Sequence, residues 1–93
     1  MHKVWSDEAW EDYVHWQSED RKTLKRINAL IRDIDRGGYE GIGNPEALRG
    51  DFSGWWSRRI DETNRLIYRI DNTTMEIAQC GGHYSHGVPE SAG

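Results

Sequence analysis

The sequence is short of cysteine, of long apolar runs and of positive charge. Its single cysteine, Cys80, excludes an internal disulfide and suits a reducing compartment. No apolar run approaches the length of a membrane span, and the first five residues lead directly into acidic sequence. We therefore expect a cytoplasmic protein without a membrane partner, and 93 residues leave room for one domain only.

Lysine and arginine do not balance the acids, and the formal net charge is -4 at pH 7. This charge argues against tight binding to free nucleic acid, because phosphate binding normally uses a surplus of basic residues. The deficit is local: residues 6–20 hold six acids and no Lys or Arg, whereas residues 21–93 hold eleven basic residues against ten acids. A positive surface therefore remains feasible, and its candidate residues are Arg49, Arg58, Arg59, Arg65 and Arg69.

The first half of the sequence predicts a short strand followed by two helices. Residues 2–5 are typical of a strand, and Ser6 is a suitable N-cap for a helix that begins at Asp7. A break near residues 18–20 separates this helix from a second one that ends at Gly37 and Gly38. Apolar residues recur at helical spacing in both segments, which indicates a helical hairpin.

The second half predicts a loop and then three strands. Residues 37–54 are rich in glycine and read as a long irregular loop. The segments WWSRRI, RLIYRI and MEIAQC follow, and the short linkers DETN and DNTT suit hairpin turns between antiparallel strands. In the middle strand, alternation places one set of side chains on one face and the next set on the other: Leu66, Tyr68 and Ile70 against Arg65, Ile67 and Arg69.

These elements predict an α+β fold in which a sheet packs on a helical hairpin. The order is β-α-α-β-β-β, with the last three strands forming an antiparallel meander. We expect a single domain over residues 1–84 and a flexible tail over residues 85–93.

Three side chains have the chemistry needed to cut a phosphodiester with its own ribose 2′-hydroxyl. That reaction needs a base for the 2′-hydroxyl proton, a cation for the phosphoryl oxygens and an acid for the leaving oxygen, and it needs no metal. Glu46, Arg65 and His83 are of the right types. They lie on three separate segments, so their spacing alone does not show that they converge.

The combined pattern of motifs is more specific than these three residues. NPEAL is followed by SGWWSRRIDETNRLIYRI and, after a final strand, by HY. This order resembles the YoeB/Txe family of bacterial toxin-antitoxin toxins, relatives of RelE, whose members carry "PEPL", "SGxWSRRI", "RLVY" and a terminal "HY". The resemblance covers residues 3–84 without a gap.

The resemblance implies a fold, an activity and a set of partners. The fold is RelE-like, similar to the microbial ribonucleases. The activity is that of a ribosome-dependent endoribonuclease that cuts mRNA codons in the ribosomal A site without a metal or another cofactor. The partners are a cognate YefM-like antitoxin, the ribosome and its mRNA, operator DNA through the antitoxin alone, and a second copy in a homodimer.

The resemblance also implies roles for individual residues. Glu46 of the PEAL segment matches the general base and Arg65 the phosphate-stabilising arginine. His83 matches the general acid, and Tyr84 the residue that orients the scissile phosphate or stacks on a base. Arg49 occupies a position that the family fills with a basic residue, and we expect substrate contacts from a set of three: Arg49, Arg58 and Arg59.

Three features depart from the family pattern. Gly81 and Gly82 stand where relatives commonly have a basic and an aromatic residue, nine residues follow Tyr84, and the chain is more acidic than is typical. We therefore keep an alternative function, a module of the same fold that arrests ribosomes or represses its operon with the antitoxin without cutting RNA.

Several residues also have simpler interpretations. The spacing of Cys80, His83 and His86 suggests zinc, but a fourth ligand is missing, and a strand would point these side chains apart. Cys80 has no basic neighbour in sequence, so we expect a buried thiol rather than a nucleophile. Arg58, Arg59 and Arg69 could form ion pairs with Asp61 and Glu62 instead of binding phosphate.

Overall fold

The computed structural model of the protein describes residues 1–81, so the predicted tail at residues 85–93 and the domain boundary at residue 84 lie outside the described part. The regular elements of the described chain are two helices, a five-stranded sheet and a short 3-10 helix at Gly50–Phe52, which confirms the predicted α+β class. The helices are α1 (Asp7–Glu19) and α2 (Arg21–Gly37). The strands are β1 (His2–Trp5), β2 (Glu46–Ala47), β3 (Trp56–Arg59), β4 (Arg65–Asp71) and β5 (Thr74–Cys80).

The helical hairpin forms as predicted, with a shorter break than the sequence suggests. Ser6 Oγ accepts a hydrogen bond from Ala9 N at 3.0 Å, as an N-cap does. α1 continues to Glu19 because Asp20 serves both helices: its N–H bonds to the Trp16 carbonyl, and its carboxylate caps the first turn of α2. No helix in residues 1–81 is long and apolar enough to cross a membrane.

The sheet has the strand order β1-β5-β4-β3-β2. β3, β4 and β5 form the predicted antiparallel meander, and β1 joins β5 in parallel. The expectation of an irregular loop throughout residues 37–54 is wrong at two places, since Glu46 and Ala47 form a short strand paired with β3 and Gly50–Phe52 form a short 3-10 helix. Hydrogen bonds on both sides of the pair hold it in register, from Arg59 N to Gly43 O and from Leu48 N to Trp55 O.

The two faces of β4 have the predicted side chains. Leu66 and Tyr68 lie in a core cluster with residues from both helices, among them Ala9 and Leu30, and Ile70 packs against this cluster. Ile67 is also fully buried but belongs to the face away from the helices. A shift in the register between β4 and β5, where Ala78 is left unpaired, bends the sheet beside this face.

Candidate active site

The sheet face that points away from the helices carries the predicted catalytic residues of the described chain. Register aligns Glu46 with Ser57, Ser57 with Ile67, and Ile67 with Gln79, so one row crosses four strands. The neighbouring row pairs Arg59 with Arg65. Neighbouring strands are about 4.8 Å apart, so Glu46 lies roughly 10 Å across the face from β4, a span that long side chains can close from two sides.

Glu46 is exposed at the edge of the sheet, on the two-residue strand β2. Pro45 precedes it, and Asn44 has a positive φ of 53°, so the chain turns sharply just before the carboxylate. Since side chains alternate along a strand, Glu46 and Arg65 project from the same side of the sheet. The structure thus places two of the three predicted chemical groups on the same face of the sheet.

Arg65 is half-buried and is held by the turn that precedes it. Its Nη1 donates to the carbonyls of Asp61 at 2.7 Å and Asn64 at 3.1 Å. Burial alone would raise the pKa of Asp61, but hydrogen bonds from Asn64 and Thr63 outweigh it and hold the pKa of this carboxyl below its ordinary value. This closed turn fixes the guanidinium at the start of β4.

Arg58 does not lie with the other arginines, and the prediction that it contacts substrate is wrong. Its side chain is 0% exposed, on the helix side of the sheet. Its partner is the Asp33 carboxylate, 2.6 Å away, rather than Asp61 or Glu62. A phosphate cannot reach this guanidinium, because backbone and side chains of the chain itself enclose it.

The remaining arginines, Arg49, Arg59 and Arg69, differ in how far their side chains are exposed to solvent. Arg49 and Arg59 are exposed, and Arg59 lies beside Arg65 across the sheet. Arg69 is engaged on two sides: it pairs with Glu76 at 3.2 Å, and its guanidinium carbon lies 4.4 Å from the centre of the Trp55 ring. Arg49 and Arg59 therefore remain the candidates for additional phosphate contacts.

The end of β5 is anchored next to this face. Trp16 Nε1 donates to the Cys80 carbonyl at 2.9 Å, and Asp12 accepts from Cys80 N at 3.3 Å. Gly81 has a φ of 141°, and a Cβ on it would lie 2.5 Å from Trp16 Nε1, so a side chain at this position would collide with the indole. Cys80 pairs with Leu66, the residue after Arg65, so β5 ends beside the arginine.

His83 and Tyr84, together with Gly82 and His86, lie outside the described residues. The Cys80 thiol is described and is buried, with Sγ 3.3 Å from the Ala9 carbonyl. Burial, reinforced by the negative charge of Asp12, raises the pKa of this thiol to about 12. Such a thiol is protonated at neutral pH and suits neither nucleophilic attack nor metal binding.

The sequence did not point to Asp33. It stands on the polar face of α2, where an acid reads as a solvated surface residue. The arginine that pairs with it lies 25 positions away, on a strand whose facing could not be assigned beforehand. Two glycines in the predicted loop, Gly41 and Gly43, were the available signal that backbone approaches something closely there.

Comparison with known proteins identifies the family. Residues 5–84 match the model of the YoeB-like toxin of bacterial type II toxin-antitoxin systems. The chain belongs to this family. It is 51% identical over 84 residues to the toxin YoeB of Streptomyces coelicolor, which covers 90% of this chain and all of that relative. The predicted family is thereby confirmed, and the chain is the toxin type of such a system.

Solved structures of related toxins have the same fold. A YoeB/ParE toxin from Agrobacterium tumefaciens superposes with a TM-score of 0.86 at 42% identity, covering 90% of this chain and all of that one. YoeB in a heterotetrameric YoeB-YefM complex from Staphylococcus aureus gives 0.85 at 44% identity, covering 90% and 98%. A YoeB dimer from the same species gives 0.84 with the same identity and coverage.

Proposed function

We propose that this YoeB-family chain is a ribosome-dependent endoribonuclease that cuts mRNA codons in the A site, using the 2′-hydroxyl as nucleophile and no metal. The observation that supports it best is the shared sheet face of Glu46 and Arg65, with β5 ending beside Arg65. A base and a cation on one face of the sheet match the needs of phosphodiester cleavage.

In the proposed mechanism Glu46 takes the proton of the 2′-hydroxyl. The freed 2′-oxygen attacks the neighbouring phosphorus, and Arg65 holds the non-bridging oxygens as negative charge grows on them. His83 gives a proton to the 5′-oxygen as its bond to phosphorus breaks, while Tyr84 orients the phosphate. The products are a 2′,3′-cyclic phosphate, which water can open to a 3′-phosphate, and a 5′-hydroxyl.

The surroundings of Arg65 support its part in this mechanism. Two carbonyls of the preceding turn hold its Nη1, so less reorganisation is needed when charge develops on the substrate. The exposed Arg49 and Arg59 are proposed to contact neighbouring phosphates. Arg58 is left out of the substrate site because it is buried.

The ribosome is proposed to supply the positioning that the toxin lacks. With a net charge of -4 the chain attracts free RNA poorly, since affinity for phosphates depends on basic surplus. Fixing the codon in the A site would turn a weak encounter into an oriented one. Cleavage of free RNA should therefore be slow.

The proposed partners follow from the family. A YefM-like antitoxin would hold the toxin silent, and operator DNA would be contacted through that antitoxin alone. The staphylococcal relatives, described as a YoeB-YefM complex and a YoeB dimer, support the antitoxin and a homodimer. We further propose that residues 1–84 form the toxin domain and that residues 85–93 form a tail. The proposed location is the cytoplasm.

Purified protein and ribosomes programmed with a defined mRNA test this function. Glu46→Gln and His83→Gln should each slow cleavage by about 10²- to 10⁴-fold, the usual worth of a positioned base or acid. Circular dichroism and antitoxin binding should stay unchanged as controls for the fold. Wild-type rates in either variant would refute the proposed roles.

A second candidate, ribosome arrest or operon co-repression without cleavage, is favoured by one observation. A Cβ at Gly81 would collide with the Trp16 indole, and the family pattern has a basic residue at this position, so this chain would lack a phosphate contact there. Mapping mRNA 5′ ends after induction separates the two candidates, because arrest alone creates no codon-aligned breaks.

A further inference from the structure

A buried guanidinium lies beneath the loop that leads to Glu46, and the catalytic scheme makes no use of it. Arg58 points to the helix side of β3 with none of its surface exposed. Nε donates to Tyr68 Oη at 3.0 Å, and Nη1 donates to Asp33 Oδ2 at 2.6 Å. A buried charge of this kind is costly unless its donors are satisfied, as they are here.

The other donors of Arg58 bind the backbone of the loop. Nη1 also donates to the Ile42 carbonyl at 2.8 Å, and Nη2 donates to the carbonyls of Gly38 at 2.8 Å and Glu40 at 3.2 Å. Asp33 adds a bond from the helix side, because its Oδ2 accepts from Ile42 N at 3.0 Å. The ion pair thus holds the loop segment from Gly38 to Ile42 through bonds to three of its residues, Gly38, Glu40 and Ile42.

The loop could not wrap this tightly with ordinary residues. Gly41 has a φ of 140°, and a Cβ there would lie 1.8 Å from Asp33 Oδ2. At Gly43 the φ is 83°, and a Cβ would lie 2.8 Å from Leu30 Cδ2 and 3.3 Å from Arg58 Cβ. Gly41 is therefore required by the close approach to the ion pair, and Gly43 by the close approach to Leu30 and β3.

The fixed loop leads directly into the strand of the proposed base. Gly43 O accepts from Arg59 N at 2.7 Å, and Glu46 begins β2 three residues later. A two-residue edge strand makes few hydrogen bonds of its own, so the segment before it must help to set its position. A displacement of about 1 Å at a reacting group can cost 10²-fold in rate, so such anchoring matters for a base.

We propose that Arg58 and Asp33 are positioning residues that hold Glu46 in place for proton abstraction. The inference rests on the proposed function, in which Glu46 is the base. It assigns the ion pair a role in catalysis through the loop, without contact to the substrate. A role in stability alone would leave the geometry of β2 unchanged in the folded protein.

Two aspartates of α2 provide a matched pair of variants. Asp33 binds Arg58 and Asp35 binds Lys3, each at 2.6 Å, but Lys3 is on β1, at the opposite edge of the sheet from β2. With ribosomes programmed at saturating and limiting concentrations, Asp33→Ala should lower kcat by about 10- to 100-fold and leave KM unchanged. Asp35→Ala should keep both parameters at the wild-type level.

The amide of Leu48 reports directly on β2, because it donates to the Trp55 carbonyl across the strand pair. Native-state hydrogen exchange at Leu48 should be faster in Asp33→Ala and unchanged in Asp35→Ala. Exchange along β4 follows global unfolding and serves as the reference for the overall loss of stability in each variant. If Asp33→Ala weakens the fold too far, Asp33→Asn and Asp35→Asn remove the charges and keep the side-chain shape, and the same contrast is expected.

A double variant separates positioning from general stability. If Asp33 acts through Glu46, Asp33→Ala should cause no further loss of rate in a Glu46→Gln background. An equal loss in both backgrounds, or wild-type kcat in Asp33→Ala, would overturn the inference. Should Glu46→Gln itself cleave at the wild-type rate, the proposed function fails instead, and that outcome is distinct.

Discussion

At the scale of the residue, Arg58 and Arg59 are neighbours with opposite surroundings. Alternation along β3 turns Arg58 toward the helices, where it is buried, and Arg59 toward the opposite face, where it is exposed beside Arg65. The same charge therefore holds a loop in one case and is available to a phosphate in the other.

Truncating the two arginines should reduce stability to very different extents. Arg58→Ala removes a fully buried side chain and leaves several backbone carbonyls without their partner, so it should lower the free energy of unfolding by about 2–3 kcal/mol. Arg59→Ala should change it by less than about 0.5 kcal/mol, which is typical of a surface site. Urea unfolding measures both, and equal losses would contradict the assignment of faces.

Cys80 gives a second prediction at this scale. Its pKa is raised to about 12 by burial, so the thiolate needed for reaction is scarce at pH 8. A thiol-specific reagent should modify the protein quickly in denaturant and hardly at all in the native state. Rapid native labelling would show that the end of β5 is open to solvent.

These residues show what the sequence could predict locally. Alternation separated the two faces of β4, but Arg58 and Arg59 were both expected to contact substrate, because the facing of β3 could not be assigned from the sequence. It could not predict that a guanidinium would enter the buried side, because its partner Asp33 looks like a solvated residue of α2. Ion pairs between distant segments leave no spacing signal.

At the scale of the element, the segment from Gly38 to Ala47 is irregular except for β2 and leads to Glu46, the proposed base. The sequence predicted a loop here and missed β2, since two residues after a proline show no alternation. β2 pairs with the outer edge of β3, and the bonds from Arg58 hold the preceding loop next to that edge. Its formation depends on tertiary contacts rather than on local propensity.

Two glycines with similar backbone angles test this dependence. Gly43 and Gly54 have φ values of 83° and 96°, so alanine is strained at both, but only at Gly43 would the new Cβ meet other atoms. Gly43→Ala should lower Tm well below that of Gly54→Ala and also slow cleavage. Calorimetry and the ribosome assay measure the two effects, and matching values for both variants would argue against tight packing of the loop.

At the scale of the whole molecule, acidic side chains stabilise the fold through specific hydrogen bonds. The carboxyls of Asp20, Asp33 and Asp35 have pKa values below the ordinary 3.8, chiefly because Thr23, Arg58 and Lys3 respectively donate to them. A depressed pKa adds stability above the unfolded value, and that contribution is lost as pH falls through the folded value.

Stability should therefore be level from neutral pH to about 5 and fall below about 4, where these carboxylates take up protons. Urea midpoints at a series of pH values measure the change. Asp35→Asn, which removes one of the depressed groups, should show a shallower fall than the wild type. An identical slope would mean that the Lys3 pair contributes nothing in solution.

The sequence predicted the arrangement of the whole molecule well and the site only in part. Helical spacing, caps and strand alternation are local signals, so the hairpin and the meander could be recognised. The parallel pairing of β1 with β5 joins the two ends of the described fold, and no local pattern encodes it. For the same reason the shared face of Glu46 and Arg65 became visible only in the folded chain.

The central claim is that the substrate's own 2′-oxygen attacks the phosphorus after Glu46 removes its proton. The most direct test is to program ribosomes with an mRNA that carries a single 2′-deoxynucleotide at the cleaved position. The account predicts rapid cleavage of the all-ribose message and no cleavage of the deoxy message at that bond. Equal cleavage of both messages would show that another nucleophile is used and would contradict the account.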